Sequence, residues 1–265
     1  MFAAERNHGD DTTVPVLAKV KTRIGRLWTY VRDDRPFGGI DPPAALFFYS
    51  PDRAVSIPSS IWPDTVGSCR PTPTPGSTRK PGPITEAACW ANGRRKFFEL
   101  ADIASKSRSG KQTTISPMAL EAVRKIDAFF MAERSINGLP LDGRFPARRK
   151  DIAPLVCELI DWMTRERAKL PRHNEVAKAF DYMLKRTDAF TRFLDDGRIC
   201  LSNNAAERAL RCIALGRKAW LFAGTDRGGQ RAAVMSTLIQ TAKLNYVDRQ
   251  SWLADVLARI ADHAA

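Results

Sequence analysis

Histidine and closely spaced cysteine are scarce in this chain. Its 265 residues include three histidines and five cysteines, and no two cysteines form a Cys-x-x-Cys pair. Zinc sites and disulfide frameworks need such residues at short, regular spacing. The sequence therefore argues against both, and we expect the scattered cysteines to be small core residues.

Long apolar runs are also lacking. No stretch reaches the roughly 18 consecutive apolar residues typical of a membrane span. The N-terminal segment carries Glu5, Arg6, Asp10 and Asp11, which is unlike a signal peptide. We therefore expect a cytoplasmic protein with no membrane partner.

Acidic residues are few relative to basic ones. The chain has 29 Asp and Glu against 42 Lys and Arg, which gives a formal net charge of +13. Such a surplus attracts polyanions, of which nucleic acid is the commonest. With 44% hydrophobic residues, the chain can bury one large core or two modest ones.

The first fifty residues have the pattern of β-strands. Residues 14–17, 26–32 and 44–50 form short apolar or alternating runs separated by turn signals. Three such runs in succession predict an antiparallel meander. Asp10 and Asp11 are predicted to lie at the entrance to its first strand.

Residues 54–83 differ in composition from the rest of the chain. Prolines crowd this stretch together with Ser, Thr and Gly, a composition typical of a linker. From Ile84 onward the apolar spacing becomes helical. Beyond a first helix near Trp90, we predict helices at about 117–136, 150–168, 174–194, 204–212, 228–244 and 249–262.

A short run at residues 203–211 (NNAAERALR) combines a helix start with charged side chains. Asn203 or Asn204 is a good N-cap, which places Glu207 in the first turn at the positive end of the helix dipole. With Arg208 and Arg211 beside it, such a carboxylate suits a divalent cation and phosphates. A capped surface helix with ordinary salt bridges is the alternative.

Acids on an early strand and a late helix are typical of two-metal nucleases and transferases. In these enzymes carboxylates hold two Mg²⁺ ions about 4 Å apart. Asp10 and Glu207 fit the strand and helix places.

Several basic residues are candidates for binding DNA phosphates. For Arg94, Arg95 and Lys96 the alternative is a solvated helix face. Trp220 and Phe222 could stack on bases near two of these cations, or belong to the core. The candidates are Arg94, Arg95, Lys96, Arg208, Arg211, Arg217 and Lys218.

Three segments resemble the insertion-sequence-66 family of bacterial transposases. Residues 8–17 (HGDDTTVPVL) are similar to its first-carboxylate segment, and residues 203–224 to its third. Residues 89–97 (CWANGRRKF) are similar to its C-W-A-H-x-R-R-K-F segment, with Asn92 where a histidine usually stands. The resemblance covers nearly the whole chain except about residues 54–79.

The resemblance implies an α/β fold with a ribonuclease-H-like core, incomplete here, a large helical insertion and a helical C-terminal part. It assigns residues 1–53 to the first strands, 54–83 to an irregular stretch, 84–202 to the insertion and 203–265 to the C-terminal helices of the core.

The same resemblance implies an activity, a cofactor and partners. The activity is DNA cleavage and strand transfer at transposon ends, with Mg²⁺ or Mn²⁺. Asp10 matches the first metal ligand and Glu207 the third, with Asp11 as a supporting neighbour. The implied partners are transposon-end and target DNA, a second copy of the chain, or a full-length transposase. When bound to DNA, the protein would be associated with the nucleoid.

The chain departs from the family where the second aspartate belongs. The family has a stretch resembling D-A-Y-A-G-F-N there, whereas this chain has PTPTPGST at residues 71–78. These residues can be encoded CCG ACG CCT ACG CCG GGT TCA ACC, whose frame from the third base gives Asp-Ala-Tyr-Ala-Gly-Phe-Asn. Residues 56–70 can likewise be written to give family-like sequence. We hypothesise a frame-shifted translation over about residues 54–79, which the nucleotide sequence of the gene can test.

The departure changes the expected activity. Pro71 and Thr72 replace the second ligand, and we expect the strand that carries it to be lost, because proline lacks a backbone donor. Asp64 is too early to replace the ligand. We therefore expect an inactive transposase that also lacks the family's N-terminal DNA-end-binding and oligomerising segments. The alternative is a non-catalytic, basic protein that binds DNA or a transposase.

Overall fold

A computed structural model describes residues 6–52, 66–68, 85–101, 116–217 and 219–262. The chain divides into two compact units. The first contains residues 1–35, 39–85 and 204–265, and the second contains residues 36–38 and 86–203. Within the described ranges, no helix is both long and apolar enough to cross a bilayer.

Four strands of the first unit belong to one β-sheet. These are β1 (Arg6–Val16), β2 (Arg23–Arg32), β3 (Ala44–Ser50) and β4 (Val66–Ser68). Their order is β3-β2-β1-β4. The first three strands pair antiparallel, as the meander predicts, whereas β4 pairs parallel to β1.

Strand β1 begins earlier than the sequence predicts. It starts at Arg6, so Asp10 and Asp11 lie in the middle of the strand and not at its entrance. Polar residues are weak β-formers, but β1 is a central strand whose backbone pairs on both sides. Tertiary pairing therefore overrides local propensity here.

Strand β4 precedes the stretch where the second aspartate was expected. Val66–Ser68 pairs with the start of β1, whereas the expected loss of the strand that carries the second ligand, at residues 71 and 72, falls outside the described residues. This short segment contains no proline, so its backbone N–H groups are available to the ladder. Asp64, Pro71 and Thr72 lie outside the described residues.

Helices make up most of the rest of the described chain, which is therefore a mixed α/β protein. A π-helical turn at Arg148–Ile152 links α3 to α4, and a two-residue strand, β5 (Glu86–Ala87), precedes α1. The helices are α1 (Trp90–Ala101), α2 (Pro117–Ser135), α3 (Leu141–Ala147), α4 (Ala153–Ala168), α5 (Glu175–Leu184), α6 (Thr187–Thr191), α7 (Asn204–Gly216), α8 (Asp226–Leu244) and α9 (Arg249–Arg259).

Two helices pack on one face of the sheet in the first unit. Helix α7 contributes Ala209, Leu210 and Ile213 to this core, and α8 contributes Ala233. Helix α8 also covers the edge strand, because the hydroxyls of Thr237 and Thr241 accept hydrogen bonds from backbone N–H groups of β3. An edge strand covered in this way cannot pair with another chain. The sheet side of the core consists of Val14, Leu27, Val31, Ala45 and Phe47.

The second unit has an aromatic core. The indole of Trp90 lies between Phe129 and Phe190, with ring centroids 4.7 and 4.8 Å away. Its Nε1 donates to the backbone oxygen of Phe190 at 2.8 Å. Helices α1, α2 and α6 are thereby joined around one side chain.

Candidate functional site

Asp10 lies on the helix-covered face of the sheet. Side chains alternate along a strand, so Asp10 shares a face with Val14, which belongs to the core beneath α7 and α8. Its half-buried carboxylate accepts a hydrogen bond at Oδ1 from the backbone N–H of Asp11, at 2.8 Å. Asp10 is therefore an acid held at the boundary between the core and the outside of the first unit.

Asp11 lies on the opposite face. Its carboxylate pairs with Arg26 of β2, and its side chain is only 6% exposed. The two neighbouring acids therefore lie on opposite faces of the sheet. Asp11 pairs with Arg26 and stabilises the β1–β2 pair, whereas Asp10 is on the face that the helices cover.

Glu207 lies in the first turn of α7, as predicted from the sequence. It is half-buried, and the helix dipole favours a negative charge at this end. The helix begins at Asn204, directly after Asn203, which is 2% exposed.

Helix α7 runs alongside β1 in the same direction. At its C-terminal end, Nη1 of Arg217 donates to the backbone oxygen of Thr13 at 2.7 Å. At its other end, Arg208 is near Asp33, which follows β2: the pKa of Asp33 is lowered first by a hydrogen bond from Arg35 and further by the charge of Arg208. Because β2 is antiparallel to β1, Asp33 marks the end of the sheet where β1 begins.

In this alignment Asp10 and Glu207 both precede the contact between Arg217 and Thr13. Glu207 precedes Arg217 by ten residues, or about 15 Å of helix. Asp10 precedes Thr13 by three residues, or about 10 Å of strand. Both residues therefore lie on the side of the Arg217–Thr13 contact towards which β1 and α7 begin.

Asp10 and Glu207 are the two carboxylates that could hold a divalent cation in this unit. Mg²⁺ binds proteins through one or two carboxylates and keeps several water ligands. Among the residues that the structure describes, no three His, Cys, Asp or Glu side chains form a cluster able to hold a metal. Two carboxylates match a single Mg²⁺ or Mn²⁺, whereas a two-metal site needs further acidic ligands.

Thr29 is a residue near Asp10 that sequence reasoning missed. It lies directly opposite Asp10 on β2 and is fully buried. Its Oγ1 is buried and has no hydrogen-bond partner among the described residues. The signal in the sequence is a hydroxyl within the otherwise apolar and aromatic stretch Leu27–Val31 (LWTYV).

The predicted DNA-binding cations of α1 lie in the second unit. Arg94 forms a bidentate pair with Asp127 of α2, at 2.6 and 2.9 Å. The Lys96 ammonium lies 4.3 Å from the ring centroid of Tyr182. Arg95 is exposed. The positive charge of Arg94 is therefore paired with a carboxylate within the second unit.

The predicted cations of α7 lie in the first unit. Arg208 and Arg211 are exposed, whereas Arg217 is half-buried and bonded to Thr13. Lys218 lies outside the described residues. The two nearby aromatic side chains differ: Trp220 packs against the core, and Phe222 is 40% exposed.

Two family models match this chain. The profile described as "Transposase IS66 family" matches residues 1–231, and the one described as "IS66 C-terminal element" matches residues 237–265. The chain therefore belongs to the IS66 family of transposases, and the resemblance drawn from the three sequence segments is confirmed.

Three proteins of Sinorhizobium fredii (strain NBRC 101917 / NGR234), all described as uncharacterized, are similar to this chain. The protein y4hP is 52% identical over 273 residues, which cover 99% of this chain and 49% of y4hP. The proteins y4qI and y4jD are 34% and 31% identical, over 97% and 96% of this chain and 48% and 50% of their own lengths. The chain thus spans about half the length of these relatives. No solved structure matches it.

Proposed function

We propose that this chain carries the metal-binding core of a DNA transposase, with Asp10 and Glu207 as ligands of one divalent cation. The observation that carries the proposal is their placement on β1 and on the first turn of α7, which packs along the same face. The strand order β3-β2-β1-β4, with β4 parallel to β1, supports a ribonuclease-H-like core.

The residues around this site have distinct roles in the proposal. Asp10 and Glu207 would hold the cation, and a bound Mg²⁺ supplies Lewis acidity towards phosphate and its attacking water. Arg208 and Arg211, exposed on α7, would contact phosphates of the DNA backbone. Arg217 would hold α7, which carries Glu207, against β1, which carries Asp10.

The proposed site is incomplete. The segment that matches the family's second-aspartate position has Pro71 and Thr72 in its place. In-line strand transfer by two metals needs a carboxylate from that position to complete the cation pair. We therefore propose that the chain binds DNA and one cation but does not transfer strands. Bound to bacterial DNA, it would be associated with the nucleoid, alone, with a second copy or with a full-length transposase.

A second candidate function is DNA binding without any role for a cation. The charge of +13 and the exposed arginines of α7 favour it. The two candidates differ in what Glu207 does. In the first it is a metal ligand, and in the second it only interacts favourably with the helix dipole.

The test uses the whole chain and duplex DNA from either side of its gene. Gel shifts and cleavage are measured in Mg²⁺ and in Mn²⁺, with Glu207→Gln as the site variant. Glu175→Gln is the matched control, because Glu175 also lies in a helix first turn but is exposed and pairs with Lys178. We expect a shift without cleavage, and a divalent-ion enhancement of the shift that Glu207→Gln alone removes.

Each other outcome overturns a defined part of the proposal. Cleavage or joint molecules that depend on Glu207 would show an active transposase and refute the proposed inactivity. A shift that is indifferent to Mg²⁺ and to Glu207→Gln would favour the second candidate. The absence of any shift would refute both.

A further inference from the structure

Thr29 breaks the apolar pattern of the helix-covered sheet face. Directly opposite residues of antiparallel strands share a face, so Thr29 has Asp10 on one side and Phe47 on the other. Its neighbours two positions along β2 are Leu27 and Val31, which are buried. Of these four nearest positions on the face, only Asp10 is polar.

The burial of the Thr29 hydroxyl is energetically unfavourable in this structure. Thr29 is 0% exposed, and its Oγ1 is buried with no hydrogen-bond partner among the described residues. A buried hydroxyl without a partner costs free energy, and valine has nearly the same shape without that cost. A threonine at this position is therefore better explained by a partner that the hydroxyl gains in another state of the protein.

Asp10 is the partner within reach. Side chains directly opposite each other on antiparallel strands have Cβ atoms about 5 Å apart. A rotation of Thr29 about χ1 moves its hydroxyl without moving the backbone. Carboxylates that bind metals are commonly held by a hydrogen bond from a neighbouring group, which fixes their orientation.

We propose that Thr29 is a positioning residue whose hydroxyl donates a hydrogen bond to the Asp10 carboxylate when Asp10 holds a divalent cation. The inference rests on the proposed cation site at Asp10 and Glu207. It adds a third residue to that site, one that touches the ligand and not the cation.

The test is a titration of the chain with Mn²⁺ alone, in which electron paramagnetic resonance measures the free Mn²⁺ at each step. The wild-type chain is compared with Thr29→Val, which removes the hydroxyl and keeps the shape, and with Thr29→Ser, which keeps the hydroxyl. Asp10→Asn reports on the cation site itself. We expect wild-type affinity in Thr29→Ser, an affinity weaker by about tenfold in Thr29→Val, and loss of the site in Asp10→Asn.

Thermal melts in EDTA separate positioning from packing. We expect Thr29→Val to melt at or above the wild-type temperature, because a methyl group replaces an unpartnered hydroxyl among Leu27, Val31 and Phe47. If Thr29→Val does not fold, Thr29→Ala takes its place as the hydroxyl-free variant, with the same expected loss of affinity.

Failures of the two proposals are distinguishable. Wild-type Mn²⁺ affinity in the hydroxyl-free variant, with the site still lost in Asp10→Asn, would overturn the role of Thr29 alone. Weakened binding in Thr29→Ser equal to that in Thr29→Val would also overturn it, because the hydroxyl would then be irrelevant. Equal Mn²⁺ uptake by wild type and Asp10→Asn would refute the cation site and the inference together.

Discussion

Arg217 donates a hydrogen bond from Nη1 to the backbone oxygen of Thr13, joining the end of α7 to β1 at a distance of 2.7 Å. The same nitrogen contacts Thr13 Oγ1 at 3.1 Å. From the sequence, Arg217 is a candidate for DNA contact. In the structure it also connects the helix that carries Glu207 with the strand that carries Asp10.

We predict that Arg217→Met lowers the free energy of unfolding by about 1.5–3 kcal/mol, since a charged donor to the backbone is lost. Urea denaturation measures the change. Arg211→Met is the control, because Arg211 is exposed on the same helix and its loss is expected to stay within about 0.5 kcal/mol. Equal stability of the two variants would contradict the structural role of Arg217.

Two adjacent glycines at the start of α8 should respond oppositely to alanine. A Cβ added at Gly229 would lie 2.5 Å from Cδ2 of Tyr49, whereas one at Gly228 would lie 3.8 Å from the nearest atom, Oγ1 of Thr225. We expect Gly229→Ala to destabilise the protein by about 1–3 kcal/mol through overpacking.

Gly228→Ala serves as the matched control in that comparison. It should be neutral or stabilising by up to about 1 kcal/mol, because alanine is the better helix former. Thermal melts measure both variants. The packing of Tyr49 on α8 would be refuted if Gly229→Ala melted at the wild-type temperature.

Arg148 should be among the most sensitive positions of the second unit. It is 0% exposed, and its guanidinium pairs with Glu133 and donates to the backbone oxygens of Phe193, Asp196 and Ile199. We predict that Arg148→Met costs about 3–5 kcal/mol, because Glu133 is left buried with less compensation.

The double variant Arg148→Met/Glu133→Leu should be less destabilised than Arg148→Met alone, since it removes the uncompensated charge as well. Guanidinium chloride denaturation of both variants measures the difference. If the second substitution instead added its full cost to the first, the buried pair would not be coupled.

Tyr49 should make the free energy of unfolding decrease as the pH rises into the alkaline range. Burial, followed by the hydrogen bond to Asp226, raises the pKa of Tyr49 to about 12 from its ordinary value of 10.0. The folded state therefore keeps its proton longer than the unfolded state does. The contribution is complete below pH 10 and is lost as the pH rises from 10 to about 12.

Absorbance of tyrosinate at 295 nm follows this titration. We expect a transition near pH 12 in the folded wild type that is missing in Tyr49→Phe. A wild-type spectrum whose tyrosines all titrate near pH 10 while the protein stays folded would contradict the assignment.

Local patterns were sufficient to place Glu207 and most helices, because caps and helical spacing act within a few residues. The predicted start of β1 was wrong, because the polar residues before Val14 form a strand only through pairing with β2 and β4. A short strand such as β4 can form in a proline-rich stretch when its own paired residues keep their backbone N–H groups.

Long-range partners could not be predicted from the sequence. Arg94 belongs to a run typical of DNA contact, but Asp127, its partner, is 33 residues away on another helix. The burial of Thr29 opposite Asp10 depends on the register of β1 and β2. Such contacts follow from register and helix packing, neither of which a single sequence specifies.

The central claim is that Asp10 and Glu207 hold one cation between them. Replacing Mg²⁺ by Fe²⁺ and adding ascorbate and peroxide generates hydroxyl radicals at the cation, which cut the nearby backbone. We predict paired cuts, one in β1 near residue 10 and one at the start of α7 near residue 207. Both cuts should disappear together in Asp10→Asn and in Glu207→Gln, and persist in Glu175→Gln. Cutting at only one of the two segments, or cuts that survive either substitution, would contradict the account.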